Sequence, residues 1–273
     1  MHIIVIDTET TGLIPKGVAS RDLSKCPHVI QLSYMIFDTV KFVVLEDYDA
    51  IVKLDDSVEI SARSIEIHKI TREKSQMSGV PINVALFNLR SALIAYNVQL
   101  IVGHNISFDI QMLDIECRRM GLAGLFRRDM GNGGGVGAAG VAADRESAAL
   151  WNSAAPIPQY CTMENSKDIC NNRVQSMYGG VYVRFSKLSE VFSKLFGDDD
   201  GADDTRDGRE AFLHNSRVDV VMCLRVFAWI AYGVDIRAEW MNVMDTYVDP
   251  NLLSLDDAHL LTEDIARDNY VLI

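Results

Sequence analysis

Residues 4–13 read IVIDTETTGL. An apolar run ends in Asp7, Thr8 and Glu9, and a Thr-Thr-Gly turn follows. The run has the character of a short buried strand, expected over residues 2–7. Carboxylates at the end of such a strand are costly to bury unless they are paired or bind a metal. Asp7 and Glu9 are two residues apart, so on a strand they point to the same face. Thr10, Thr11 and Gly12 are expected to turn the chain sharply and leave both acids at the edge of the sheet. Either the acids are solvated there, or they hold a cation.

Working outward, 28–38 (HVIQLSYMIFD) and 42–52 (FVVLEDYDAIV) are rich in β-branched and aromatic residues and predict a strand pair turned at Asp38-Thr39. A short polar helix is expected over 61–69. A longer one should start near Pro81 and run to about Asn97, because proline suits a first helical turn. QLIVG at 99–103 predicts a short central strand, and residues 104–122 predict a helix. PQYCTM predicts a strand, ENSKDIC a short helix, KLSEVFSKLFG at 187–197 an amphipathic helix, and 212–232 a long apolar helix. Three strands with short connections suit antiparallel pairing, and strands alternating with helices suit parallel crossovers. The expected fold is α/β, a mixed sheet flanked by helices on both faces. Two stretches interrupt it: a Gly/Ala-rich insert at 129–158, and an acidic loop at 197–210.

The chain has 273 residues and a formal net charge of −12. Such a charge opposes nucleic-acid binding on its face, but it is unevenly spread. Residues 197–210 carry net −5 and residues 235–273 net −7, which leaves a neutral remainder able to carry a local basic groove. The five cysteines are widely spaced, with no CxxC pair, which points to a reducing compartment and away from a disulfide framework or a zinc ribbon. No basic, then apolar leader and no long uncharged apolar stretch is evident, so the expected location is intracellular, cytoplasm or nucleus, without secretion or a membrane partner.

Two further acids stand out. Asp109 in GHNISFD falls in the first turn of a helix after a strand, where the helix dipole favours a carboxylate. HNSRVD holds His214 and Asp219, with Asp219 pointing inward from a helix and in need of a partner. Each feature alone also describes an ordinary strand end, helix start or hydrogen-bonded core acid.

Together, DTETTGL, GHNISFD and HNSRVD resemble the three exonuclease motifs of the DEDD superfamily, in its DnaQ-like branch with a histidine (DEDDh). The tyrosine branch would need Tyr where Asn215 stands. The resemblance covers about residues 1–232 and implies an RNase H-like fold, with 233–273 as an acidic C-terminal extension. It implies a 3′→5′ exonuclease that releases 5′-mononucleotides from 3′ ends of single-stranded DNA or RNA. Asp7, Glu9, Asp109 and Asp219 match the acids, and His214 matches the histidine that acts as general base on the attacking water. The acids would hold two divalent cations, Mg²⁺ or alternatively Mn²⁺, with Asp7 bridging both. Hard cations take oxygen ligands, and two of them neutralise charge on the attacking and leaving oxygens. The turn residues Thr10, Gly12 and Leu13 would cradle the 3′-terminal nucleotide, with Asn105 nearby. Ser216 stands where the family often has alanine, a change expected to leave the mechanism intact. His68 and His104 are expected to be structural. The alternative is a catalytically silent nucleic-acid-binding or adaptor module on the same fold. The acidic extension and the insert resemble surfaces for a protein partner.

Overall fold

The computed structural model describes residues 1–15, 22–122, 124–126, 155–197 and 215–238. The first strand, β1 (His2–Thr10), pairs antiparallel with β2 (Val29–Asp38), which pairs antiparallel with β3 (Val43–Ile51). After the helices α1 (Ala62–His68), α2 (Arg72–Ser78) and α3 (Ile82–Ala95), strand β4 (Leu100–Gly103) joins β1 on its other side, in parallel. Helix α4 (Ile106–Arg119) follows, and β5 (Gln159–Cys161) adds to β4, again in parallel. The sheet order is β3-β2-β1-β4-β5. Two short helical turns come next, α5 (Thr162–Asn165) and α6 (Lys167–Cys170). A separate hairpin, β6 (Arg173–Gln175) and β7 (Val181–Val183), then leads into α7 (Leu188–Phe196). Helix α8 (Ser216–Tyr232) closes the described fold. The mixed sheet with helices on both faces matches the expected architecture.

Strand alternation divides the core. Ile4 and Ile6 of β1 pack into one cluster, with Leu86 and Leu89 of α3 and Met112 and Leu113 of α4. Ile3 and Val5 pack into the other, with Val191 of α7 and Val221 and Leu224 of α8. Successive side chains of a strand point to opposite faces, so even-numbered residues of β1 meet α3 and α4 and odd-numbered ones meet α7 and α8. Both faces are covered, so β1 reads as a continuous apolar run.

Several expectations change. Strand β1 continues to Thr10, with a bulge between Glu9 and Thr10, and does not stop at Asp7. It is also the middle strand of five, so its acids lie at its carboxyl end rather than on the lateral edge of the sheet. Pro81 caps α3 from outside, with an extended ψ of 141°. Helix α2, capped by the Thr71 side chain, and the β6–β7 hairpin are additional elements.

Residues 155–158, assigned to the insert from sequence, join the body. Ile157 is buried, its N–H donates to the Phe126 carbonyl, and the Pro158 carbonyl accepts from Ile101 N. The rest of the insert, 129–154, lies outside the described residues, as do 198–210 of the acidic loop. The extension begins inside the body too: Ile236 is buried, and Asp235 pairs with the buried Arg225 at 2.8 Å. Residues 239–273 lie outside the described residues. No helix among the described residues is long and apolar enough to cross a membrane. All five cysteines are free thiols.

Candidate active site

The alternation that splits the core also assembles the site. Asp7 and Glu9 are odd-numbered and so face α8, where Asp219 sits in the first turn. One carboxylate oxygen from each of Asp7, Glu9 and Asp219 lies within 4.8 Å of the others. Thr8 is even-numbered and faces α4. Its backbone N–H and its hydroxyl both donate to Asp109 Oδ1, at 3.0 and 2.8 Å. Asp109 thus stands beside the three-acid group and outside its tightest cluster. Both Asp109 and Asp219 are fourth residues of helices that point their amino ends at the carboxyl end of β1.

The local sequence explains these starts. The Asn215 side chain accepts from Arg217 N, a standard helix cap. Ser216, the first residue of α8, donates its hydroxyl to the Asp7 carbonyl at 2.7 Å and so ties helix to strand beside the acids. An alanine at this position could not make that bond. Arg217 reaches across to Asp47 of β3, Nε to Oδ2 at 3.0 Å, and fixes the same turn from the other side. Sequence reading did not find the parts played by Thr8 and Ser216. Both depend on contacts between segments far apart in the chain.

The electrostatics follow from burial and crowding. Burial, partly offset by the Ser216 hydroxyl, pushes the Asp7 carboxyl up to about 7. Burial pushes Glu9 well above the usual carboxylate range, and the charges of Asp7, Asp219 and Asp109 push it further. Asp109 is raised by burial and by Asp7, against the bonds from Thr8. Asp219 is raised by burial and then by Asp7. Four such acids cannot all ionise beside one another unless positive charge fills the gap. The donor set of the three-acid group is all carboxylate oxygen, which suits a hard divalent cation.

The turn that follows is braced. Thr10 Oγ1 donates to the Gly12 carbonyl at 2.8 Å. Thr11 exchanges two hydrogen bonds with the backbone of His28, both 2.9 Å. Gly12 faces open space, and Leu13 is 80% exposed beside the acids. Asn105 is exposed at the start of α4 and adopts the left-handed conformation, φ 68°. His214 lies outside the described residues.

Residues 4–125 match the family described as Exonuclease. The match spans 122 of the 273 residues, less than half of the chain. In fold the chain resembles Exonuclease I of E. coli, solved with a dA16 oligonucleotide, with a TM-score of 0.54 and 13% identity over 89% of this chain and 43% of that one. It also resembles a 3′-exonuclease solved in 3′-end-specific recognition of the histone mRNA stem-loop. There the TM-score is 0.52 and the identity 13%, over 85% of this chain and 82% of that one. At these identities the likeness is one of fold. The chain spans less than half the length of Exonuclease I. No curated protein sequence matches it.

Two histidines outside the acid cluster, His68 and His104, are held by structure. His68 is buried, and its Nδ1 accepts from Ile70 N at 3.0 Å, so the ring is neutral; burial pushes its pKa down to about 4. His104 Nε2 donates to the Ser186 carbonyl and its Nδ1 accepts from the Thr162 hydroxyl, both at 3.0 Å. That ring joins the end of β4 to the segment before α7.

Proposed function

We propose that this protein is a metal-dependent 3′→5′ exonuclease that hydrolyses phosphodiester bonds at the 3′ end of single-stranded nucleic acid and releases 5′-mononucleotides. The observation that carries the reading is the convergence of Asp7, Glu9 and Asp219, with Asp109 held beside them by Thr8. The oligonucleotide and the 3′-end recognition named for the two similar structures support the substrate and the polarity.

Asp7, Glu9 and Asp219, with Asp109, would hold two divalent cations, Mg²⁺ or Mn²⁺. Once held, the cations offset the charge that hydrolysis develops on the attacking and leaving oxygens. The chain supplies the rest. His214, directly before the α8 cap in sequence, takes the proton of the attacking water, since an ordinary imidazole titrates near neutral pH. Leu13 packs on the terminal base. The backbone of Thr10 and Gly12 meets the 3′-terminal sugar, and the Asn105 amide contacts the nucleotide at the scissile bond. The braced Thr-Thr-Gly turn keeps these groups in place before substrate arrives, which lowers the ordering cost at the moment of reaction.

Linear and circular single strands of one sequence, incubated with Mg²⁺, test the reading. The linear strand should be degraded to mononucleotides and the circle should survive. Asp219→Asn should degrade neither. A wild type that opens the circle would show an endonuclease instead.

A further inference from the structure

The β6–β7 hairpin has no counterpart in the catalytic argument, yet it is a built feature. Its five-residue tip, Ser176–Gly180, is closed by two hydrogen bonds: Gly179 N to the Ser176 carbonyl and Ser176 N to the Gly180 carbonyl. Gly179 and Gly180 have φ of 78° and 109°, which a side chain would strain. This turn leaves Met177 and Tyr178 at the apex, each 95% exposed, with Tyr182 54% exposed just behind. Three large side chains, two of them tyrosines, thus stand exposed together on one ordered turn.

Charge decides which partner. Residues 171–187 contain Arg173, Arg184 and Lys187 and no Asp or Glu, in a chain of net charge −12. Arg184 is paired with Glu190, which leaves the charges of Arg173 and Lys187 beside the exposed rings. Backbone-tracking cations with rings that stack on bases are what binding of single-stranded nucleic acid requires.

Position agrees. The Ser186 carbonyl at the hairpin's base accepts from His104, which directly follows β4. Thr162, which directly follows β5, bonds the same ring. Strands β1, β4 and β5 are parallel, so the base of the hairpin is tied to the same end of the sheet that carries Asp7 and Glu9. Ion pairing of Arg184 with Glu190 at 2.9 Å and a bond from Arg184 N to the Asn172 carbonyl stiffen that base. Each three-residue strand of the hairpin spans about 10 Å, and the turn lies beyond it.

We infer that the β6–β7 hairpin is a stacking platform for the part of a single-stranded polynucleotide that lies upstream of its 3′ end, with Tyr178 and Tyr182 stacking on bases and Arg173 and Lys187 against phosphates. The inference takes its strand from the proposed nuclease reading, but its test does not depend on turnover.

Binding is measured by fluorescence anisotropy in EDTA, with labelled oligothymidylate and oligouridylate of three and of twelve nucleotides. The Tyr178→Ala/Tyr182→Ala double variant should bind the twelve-mers at least about tenfold more weakly than wild type, and the trimers much less affected. Tyr178→Trp, which keeps a ring, should retain the affinity. Phe87→Ala, which removes an exposed ring on α3, is the control for nonspecific loss. Equal affinity of wild type and double variant for the twelve-mers overturns the platform. So does a wild type that binds neither oligomer, or one that forms a dimer which the double variant dissolves. An active enzyme with hairpin-independent binding would remove this inference alone. An inactive protein with hairpin-dependent binding would remove the nuclease reading alone.

Discussion

Thr8 holds Asp109 with two hydrogen bonds to a single oxygen, Oδ1, one from its backbone N–H at 3.0 Å and one from its hydroxyl at 2.8 Å. The residue between the two acids of β1 therefore positions an acid 101 residues away. It does so on the opposite face of the strand from its neighbours. This fixes where the fourth carboxylate stands and leaves its other oxygen clear of Thr8.

Thr8→Val removes the hydroxyl and keeps the N–H. Loss of one buried hydrogen bond should cost about 1 kcal/mol of stability. Turnover should fall by about tenfold, because a misplaced ligand weakens charge neutralisation in the transition state. Thr8→Ser should recover both. Urea denaturation and steady-state kinetics check the pair of effects. A Thr8→Val enzyme with normal kcat would show that Asp109 needs no such support.

The Asp7 carboxyl, raised to about 7 from an ordinary value near 3.8, predicts a pH-dependent penalty in metal-free protein. The folded state holds the proton more tightly than the unfolded one. Stability is therefore highest below about 3.8 and is lost as pH rises through about 7. In EDTA, Asp7→Asn should melt above wild type at pH 8, and the gap should narrow at pH 5. Mg²⁺ should raise the melting temperature of wild type and leave that of Asp7→Asn nearly unchanged. A variant that melts below wild type at pH 8 would contradict the crowded-acid account.

His68 works in the opposite direction. Burial lowers its pKa to about 4 from 6.5, so the unfolded chain takes up a proton that the folded chain refuses. Stability is lost as pH falls from about 6.5 to about 4. Between pH 7 and pH 5 this group should account for about 2 kcal/mol of lost stability. His68→Gln, which does not titrate there, should lose that much less over the same interval. Urea midpoints at the two pH values measure the difference, and equal losses would remove His68 from the account.

Asn105 allows a structural need to be separated from a binding role. Its φ of 68° is easy for glycine and costs other residues about 1 kcal/mol. Asn105→Gly should keep the helix start and the stability while raising KM severalfold, if the amide meets the substrate. Unchanged KM would leave Asn105 as a turn residue only.

How much of this the sequence carried depends on how far each contact reaches. The shared face of Asp7 and Glu9 follows from the two-residue period of a strand, so the pair was legible. Asp219 was legible because HNSRVD resembles a known motif in the right order after two others. The central place of β1 was not legible, since strand order is set by pairing and not by local pattern. Thr8 and Ser216 were hidden because their partners, Asp109 and Asp7, lie 101 and 209 residues away. The β6–β7 hairpin did leave a signal, Gly179-Gly180 with VYV after them. Its strands are only three residues each, too short for alternation to declare itself.

The most direct measurement uses a 5′-labelled single-stranded oligonucleotide, followed on a sequencing gel with Mg²⁺ and with EDTA. Wild type should give a ladder that shortens one nucleotide at a time from the 3′ end, only when Mg²⁺ is present, and Asp7→Asn should give none. Immediate release of the labelled 5′ nucleotide, or a ladder of equal strength from Asp7→Asn, would contradict the assignment of these carboxylates to a 3′-end metal site.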